Sequence, residues 1–463
     1  MANEEPGGLA RPEAADEVLD EVIEDIVEAA PVGSSLPTPR SWQRFLPRRR
    51  NLAIWVILAS LGPGLVTANA GNDAGGIATY AQVGATYGYR MLWVFPLILV
   101  ALAVVQEMAA RMGAATGKGL TDLMRENFSI QMTALVMLAL LAANGGTVVS
   151  EFIGIAASVK LVHEGAQFIA VPLISLGLWL IVVRGSYRSV EKIFLLMTLV
   201  FFAYPISAII ARPDWGQALK HTVVPSIQTN TSFLFVLIAT IGTSITPYMQ
   251  VYIQSAVADR GITERDYTRE KIEVYAGSII ANLVAMFIVI ATAATLYAHH
   301  QTIRDAADAA RALAPIAGPH AEILFATGLF GASMLAAAVL PLATAYAVTE
   351  AIGVEKGIGA GLREAPIFMG IFTGLIVIGT IIALIPGLPI IQSLLVVQVI
   401  DALLLPFILF SILRLVNNRR LMGNMVNGPI YNAIARLTAF VVTGLSLAYV
   451  GVTLSQATGL LKT

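Results

Sequence analysis

The chain contains no cysteine among its 463 residues. That removes disulfides and thiolate metal sites together, so any metal must be held by oxygen, imidazole or thioether, and soft-metal detoxification is disfavoured. Charge is scarce as well. Asp, Glu, Lys and Arg make up 13% of the residues, where a soluble protein carries about 25%. A net charge of −1 gives no reason to expect a nucleic-acid partner. What remains is apolar: 57% hydrophobic residues and a mean hydropathy of +0.75. Those values belong to a polytopic α-helical membrane protein whose first partner is the lipid bilayer.

Residues 1–38 stand apart. The run NEEPGGLARPEAADEVLDEVIEDIVEAAP is acidic, opens on Pro and Gly, and is closed by SSLPTP. It lacks the basic start and apolar core of a signal peptide. Low hydrophobicity with like charges does not offset the entropy of ordering, so a disordered tail is expected. Leu19, Val22, Ile23, Ile26 and Val27 offer the alternative of a short amphipathic helix that forms on a partner. Residues 39–463 form the transmembrane domain.

Eleven apolar segments in that domain are long enough to cross a ~30 Å hydrocarbon core. They lie near 52–87, 91–112, 130–161, 166–183, 189–211, 232–259, 272–298, 322–349, 366–386, 390–415 and 430–453. The first, third and sixth exceed a simple span and are expected to be broken, tilted or extended beyond the membrane. Arg40, Arg44, Arg48, Arg49 and Arg50 precede span 1, and further Lys and Arg follow spans 2, 4, 6, 8 and 10. The opposite loops are poor in them, apart from Arg304 and Arg311. The N-terminus is therefore expected in the cytoplasm and, with an odd number of spans, the C-terminus outside. A prokaryotic plasma membrane is the expected location.

Two spans are interrupted. The stretch GPGLVTANAGNDAGG, residues 62–76, puts five glycines, a proline, two asparagines and Asp73 inside span 1. In hydrocarbon each unpaired backbone group costs several kcal/mol, so such a break persists only where it lines a cavity or a site. A carboxylate at that depth calls for a cation. Span 6 carries IGTSITPYMQ, residues 241–250, where Pro247 removes a helical hydrogen bond and Gly242 is expected to loosen the same place. Spans 1 and 6 open two successive groups of five. Breaks at corresponding positions of two halves point to an inverted-repeat transporter with a midplane site. Repeat one is placed near 50–212, repeat two near 230–416 and the extra helix near 430–453.

Between about residues 50 and 455 the sequence resembles the NRAMP (natural resistance-associated macrophage protein) family of divalent-metal transporters. The resemblance rests on GPGLVTANAGNDAGGIATYAQVGATYGYRMLWV, QEMAARMGAATGKGLTDLMRENF, LLVVQVIDALLLPF and NNRRLMGNMVN. It implies a LeuT-like fold, two inverted five-helix repeats plus an eleventh helix, with helices 1 and 6 broken at the midplane. It also implies a transported divalent cation, no cofactor and no enzymatic activity.

The departures from the family pattern carry the finer expectations. The family's helix 1 signature is Asp-Pro-Gly-Asn, with Asp and Asn both on the metal; here it reads Asp73-Ala74-Gly75-Gly76, so the acid stays and Gly76 stands where the amide would be. The helix 6 signature Met-Pro-His reads Thr246-Pro247-Tyr248, with one residue inserted after it. Thioether favours Mn2+, Fe2+ or Cd2+ over Mg2+, whereas Mg2+ prefers oxygen and keeps several waters. These changes resemble the NRAMP-related magnesium transporters, so Mg2+ is the expected substrate with Mn2+ also accepted. Thr243 aligns with the position whose backbone carbonyl faces the metal, Asn72 is placed to orient the Asp73 carboxylate or a water, and Gln398 matches a glutamine that reaches the ion.

Asp401 matches no family acid; it would attract cations or pair with a buried base. Glu107 matches a family position and reads as structural. Coupled members carry T-D-x-A-E on helix 3; here Thr147-Val148-Val149-Ser150-Glu151 has lost the Asp and kept Glu151. The family's basic partners on helix 9 are not evident in APIFMGIFTGLIVIGTIIALIP. Uptake without obligatory proton coupling follows, with Glu151 and Asp401 as positions on a proton or cation path. The rival within the class is an ordinary proton-coupled Mn2+/Fe2+ importer. A sodium-coupled amino-acid transporter is opposed by Asp73, which would repel a substrate carboxylate. A channel would need a continuous pore and a membrane enzyme paired catalytic groups, neither of which is found; a metal-sensing receptor is separated from a transporter by a flux assay.

Overall fold

The computed structural model describes residues 72–184, 203–228, 230–304, 306–310, 321–354 and 365–457. The acidic tail, Arg40 to Arg50 and the first half of span 1 lie outside the described residues. Regular structure among the described residues is helical throughout. In chain order the helices are α1 Ala74–Tyr87, α2 Val94–Thr116, α3 Leu120–Asn127, α4 Ile130–Val162, α5 Gln167–Arg184, α6 Ala203–Ile210, α7 Trp215–Val223 and α8 Thr231–Ser244. They continue as α9 Pro247–Asp259, α10 Tyr267–Thr295, α11 Ala306–Ala310, α12 Ala321–Ile352, α13 Pro366–Ala383, α14 Ile390–Val416, α15 Arg419–Met422 and α16 Pro429–Ala457. Each of the eleven expected spans contains a described helix, and eight, with α8 and α9 taken together, are long and apolar enough to cross a membrane.

The three long spans resolve in different ways. Span 3 is one unbroken helix of 33 residues, about 50 Å at 1.5 Å per residue, so it projects beyond the hydrocarbon. Span 6 is two helices. Span 1 is described only from Asn72, and its helix begins at Ala74. Prolines alone do not decide where helices break: α5, α12 and α14 run through Pro172, Pro341 and Pro406. Pro247 differs because it occupies the first turn of a new helix, where the missing N–H has no partner to lose.

Helices α1, α8 and α9 lie in the interior of the described bundle. Helix α1 packs on α10, α14 and α8, while α4 packs on α12, α13 and α14. Small residues let these backbones approach closely. A Cβ on Gly154 of α4 would come 2.5 Å from the Ala74 Cβ, and one on Gly113 of α2 would come 2.6 Å from the Gln254 carbonyl oxygen of α9. Large side chains such as Phe440, 76% exposed on α16, face outward to lipid.

At one end of α12, Glu350 is buried and accepts hydrogen bonds from Thr121 of α3 (2.6 Å) and Ser255 of α9 (2.8 Å). Gly119, just before α3, leaves room for that carboxylate, which a Cβ would meet at 2.0 Å. Nearby, Glu107 pairs with Arg111 (3.1 Å) and accepts from the Tyr267 hydroxyl (2.6 Å). Its role in the structure is thus to tie α2 to α10.

Gly242 is not part of the span 6 break. Helix α8 passes through it and ends at Ser244. A Cβ there would lie 2.0 Å from the Gln398 carbonyl oxygen and 2.9 Å from the Ala402 Cβ of α14. The residue is small because two helix backbones touch, not because the chain must turn. Since the obstacle is backbone, no rotamer relieves it, and Gly242→Ala is expected to destabilise the protein by about 1–3 kcal/mol. Gly370→Ala on exposed α13, where a Cβ meets nothing within 4 Å, is the control. Thermal unfolding in detergent checks the pair: a lower midpoint for the first and none for the second is the expected result.

Candidate functional site

The first break is organised by Asp73. Its backbone is extended (φ −68°, ψ −175°), and its side chain caps α1 through a 2.6 Å hydrogen bond from the Gly76 N–H to Oδ1. A short acid at this position satisfies one of the helix's unpaired first-turn donors. The other oxygen, Oδ2, is buried and has no hydrogen-bond partner. The next free N–H, on Ala74, donates to Glu151 Oε2 of α4 at 3.2 Å. The start of α1 therefore rests on two carboxylates, both within 1% of complete burial. Asn72 turns its amide nitrogen to the Ala281 carbonyl of α10 (3.2 Å), which anchors the chain just before the break.

The second break is at Ile245 and Thr246, both outside helical geometry (ψ 63° and 143°). Thr246 is wholly buried, and its hydroxyl lies near that of Tyr248 without meeting hydrogen-bond geometry. Thr243 is wholly buried in the last turn of α8. The adjacent Ser244 hydroxyl shares a 2.9 Å hydrogen bond with Tyr80, which joins α8 to α1. Gly76 is buried in the first turn of α1.

From α14, Gln398 reaches the first break. Its amide is wholly buried, neither Nε2 nor Oε1 has a partner, and Nε2 occupies the space a Cβ on Gly75 would need, 1.8 Å away. Gly75 thus admits the close approach of the Gln398 amide. One turn further, Asp401 accepts a 3.0 Å hydrogen bond from Thr147 of α4, and its Oδ1 has no partner. No described Lys, Arg or His pairs with it, so the buried-base reading of Asp401 does not hold among the described residues.

Asp73, Gly76, Thr243, Thr246 and Gln398 are thus assembled from α1, α8, α9 and α14 around the two breaks, with Glu151 and Asp401 on the α4 and α14 side. Sequence reasoning named Thr147 and Tyr248 only as members of the helix 3 and helix 6 motifs, and did not single out Tyr80 or Ser244. The four-residue spacing of Thr147 and Glu151, which places both on one face of α4, was the available signal for Thr147. Among the described residues no three His, Asp or Glu side chains come together as a closed metal cage. The arrangement offers one free oxygen on each of Asp73 and Asp401 with neutral oxygen donors, which suits a cation that keeps part of its water.

Comparison with known proteins agrees with this architecture. The family model described as "Natural resistance-associated macrophage protein-like" matches residues 64–451. Proteins named divalent metal cation transporter MntH are similar: that of Acidiphilium cryptum is 27% identical over 397 residues, 83% of this chain and 88% of the relative. That of Verminephrobacter eiseniae is 28% identical over 441 residues, 92% and 96% of the two chains. Among solved structures, the Eremococcus coleocola manganese transporter in complex with an aromatic bis-isothiourea substituted compound superposes with a TM-score of 0.68 at 20% identity, covering 90% of each chain. Mhp1, a nucleobase-cation-symport-1 family transporter, superposes at 0.54 with 12% identity over 84% of this chain and 89% of its own. These likenesses show the LeuT-like fold of two inverted five-helix repeats and an eleventh helix, and the family match extends over most of the sequence: the chain belongs to the NRAMP family.

Proposed function

We propose that this protein carries divalent cations across the membrane by alternating access, Mg2+ in preference and Mn2+ as well, without obligatory proton coupling. The observation that supports this most is the donor set at the two breaks. One free oxygen of Asp73 stands with Gly76 and Thr246, where an amide and a thioether would favour transition metals. Asp73 attracts the ion, Gly76 leaves room for its waters, Gly75 admits the Gln398 amide, and Thr243, Thr246 and Gln398 supply neutral oxygens. Asn72 acts through the backbone it anchors. The MntH relatives and the manganese transporter carry names that agree with a divalent-metal substrate. The basic residues at alternate loops support a cytoplasmic N-terminus and an external C-terminus.

Reconstitution in liposomes with a pH dye inside tests the proposal. Uptake of Mg2+ and Mn2+ is expected, each blocking the other, while the lumenal pH does not follow the metal. The ordinary proton-coupled Mn2+/Fe2+ importer is the second reading. It is favoured by Glu151, which remains hydrogen-bonded to the start of α1. A dye signal that scales with metal flux and disappears in Glu151→Gln would decide for it.

A further inference from the structure

Asp401 is the one acid near the breaks that neither the family pattern nor the Asp73 site accounts for. It is wholly buried in α14 and has no basic partner among the described residues. A carboxylate there costs several kcal/mol unless something compensates it. Thr147 satisfies Oδ2 at 3.0 Å; Oδ1 has nothing.

Its surroundings are more specific than a lone acid. Gln398 lies three residues earlier on the same helix, hence on the same face, and both its polar atoms lack partners. Asn144 lies three residues before Thr147 on the facing helix α4, wholly buried; its nitrogen donates to Thr344 (2.9 Å) and its oxygen is unpartnered. Asp401 Oδ1 and Gln398 Oε1 are thus two buried, unpartnered oxygens on one face of α14, with the Thr147 hydroxyl of α4 on Asp401, whereas the Asn144 amide is turned to Thr344 of α12. Oxygen without nitrogen or sulfur is the donor set Mg2+ prefers. Asp401 is within electrostatic reach of Asp73, yet the acids are not gathered into one cage.

We infer that Asp401, with Thr147 and Gln398, forms a second station for the hydrated divalent cation, between α4 and α14 and beside the Asp73 site. This rests on the reading of the protein as a divalent-cation carrier. Asp73 sits at the start of a broken helix and Asp401 in a continuous one. The ion passes between them, each acid holding it partly through water. Thr147 orients the Asp401 carboxylate so that Oδ1 faces the ion.

Mn2+ binding to the full-length protein in detergent, followed by electron paramagnetic resonance and by competition with Mg2+, tests the assignment. Asp73→Asn is expected to keep a weaker Mn2+ site that Mg2+ displaces, and adding Asp401→Asn should weaken that remainder by about tenfold or more. Asparagine still accepts from Thr147, so a purely structural Asp401 would leave the double variant equal to the single one, and the station would be refuted. An Asp73→Asn protein with no displaceable Mn2+ at all refutes it too, even if Asp401 variants fail to fold. Wild-type protein that binds no Mn2+ overturns the carrier reading itself and the station with it.

Discussion

Asp73→Asn is expected to reduce Mg2+ and Mn2+ flux in liposomes by on the order of a hundredfold, with little change in thermal stability. The reason lies in the division of labour between the two carboxylate oxygens. Oδ1 caps α1 by accepting from Gly76, and asparagine caps a helix about as well as aspartate. Oδ2, unpartnered, provides the charge that compensates a divalent cation in a low-dielectric setting. Asparagine keeps the first function and loses the second. Asp73→Ala loses both, so it should show the same flux defect with a further loss of about 1 kcal/mol of stability. Flux and melting temperature measured side by side separate the two roles. Wild-type flux in the asparagine variant would remove Asp73 from the site.

The second large effect concerns selectivity. Gly76→Asn with Thr246→Met should shift preference from Mg2+ toward Mn2+ or Cd2+. Both positions are buried at the breaks, one in the first turn of α1 and the other just before α9. Neither has a positive φ, so the backbone accepts a side chain at each. The amide adds an inner-shell oxygen, and the thioether adds a soft ligand that Mg2+ cannot exploit. Both also displace water, which penalises the ion that is harder to dehydrate. Competition is the measurement: Mg2+ should inhibit Mn2+ uptake strongly in the wild type and about tenfold more weakly in the double variant. Equal inhibition in two active, folded proteins would mean that these positions do not set selectivity.

The architecture was legible because hydrocarbon imposes a single solution on the backbone. Span lengths followed from apolar runs, and the Asp73 break was visible because glycine, asparagine and aspartate cannot all be there for packing. Span 6 was half legible. Pro247 marked its break to within two residues, since it starts α9, but Gly242 was read as a loosening residue and proved to be a point of helix–helix contact. A local signal cannot separate these cases, because a glycine that permits a bend and one that admits a neighbour look the same along the chain. The partners of Asp401 were hidden for a similar reason: Thr147 precedes it by 254 residues. Its lack of a basic partner among the described residues, by contrast, follows from the poverty of Lys and Arg in the spans and could have been anticipated.

The cap on α1 has a consequence for how long an ion stays. A carboxylate with both oxygens free grips a divalent ion from two sides, and a carrier built that way risks becoming a trap. In the proposed site Asp73 keeps one oxygen occupied by the Gly76 N–H at 2.6 Å and would offer the ion the other. Capture is then shallow and escape fast, which is the balance any conducting site must strike between admitting an ion and letting it go. On the proposed reading, the same hydrogen bond that starts the helix would also set the dwell time of the cargo.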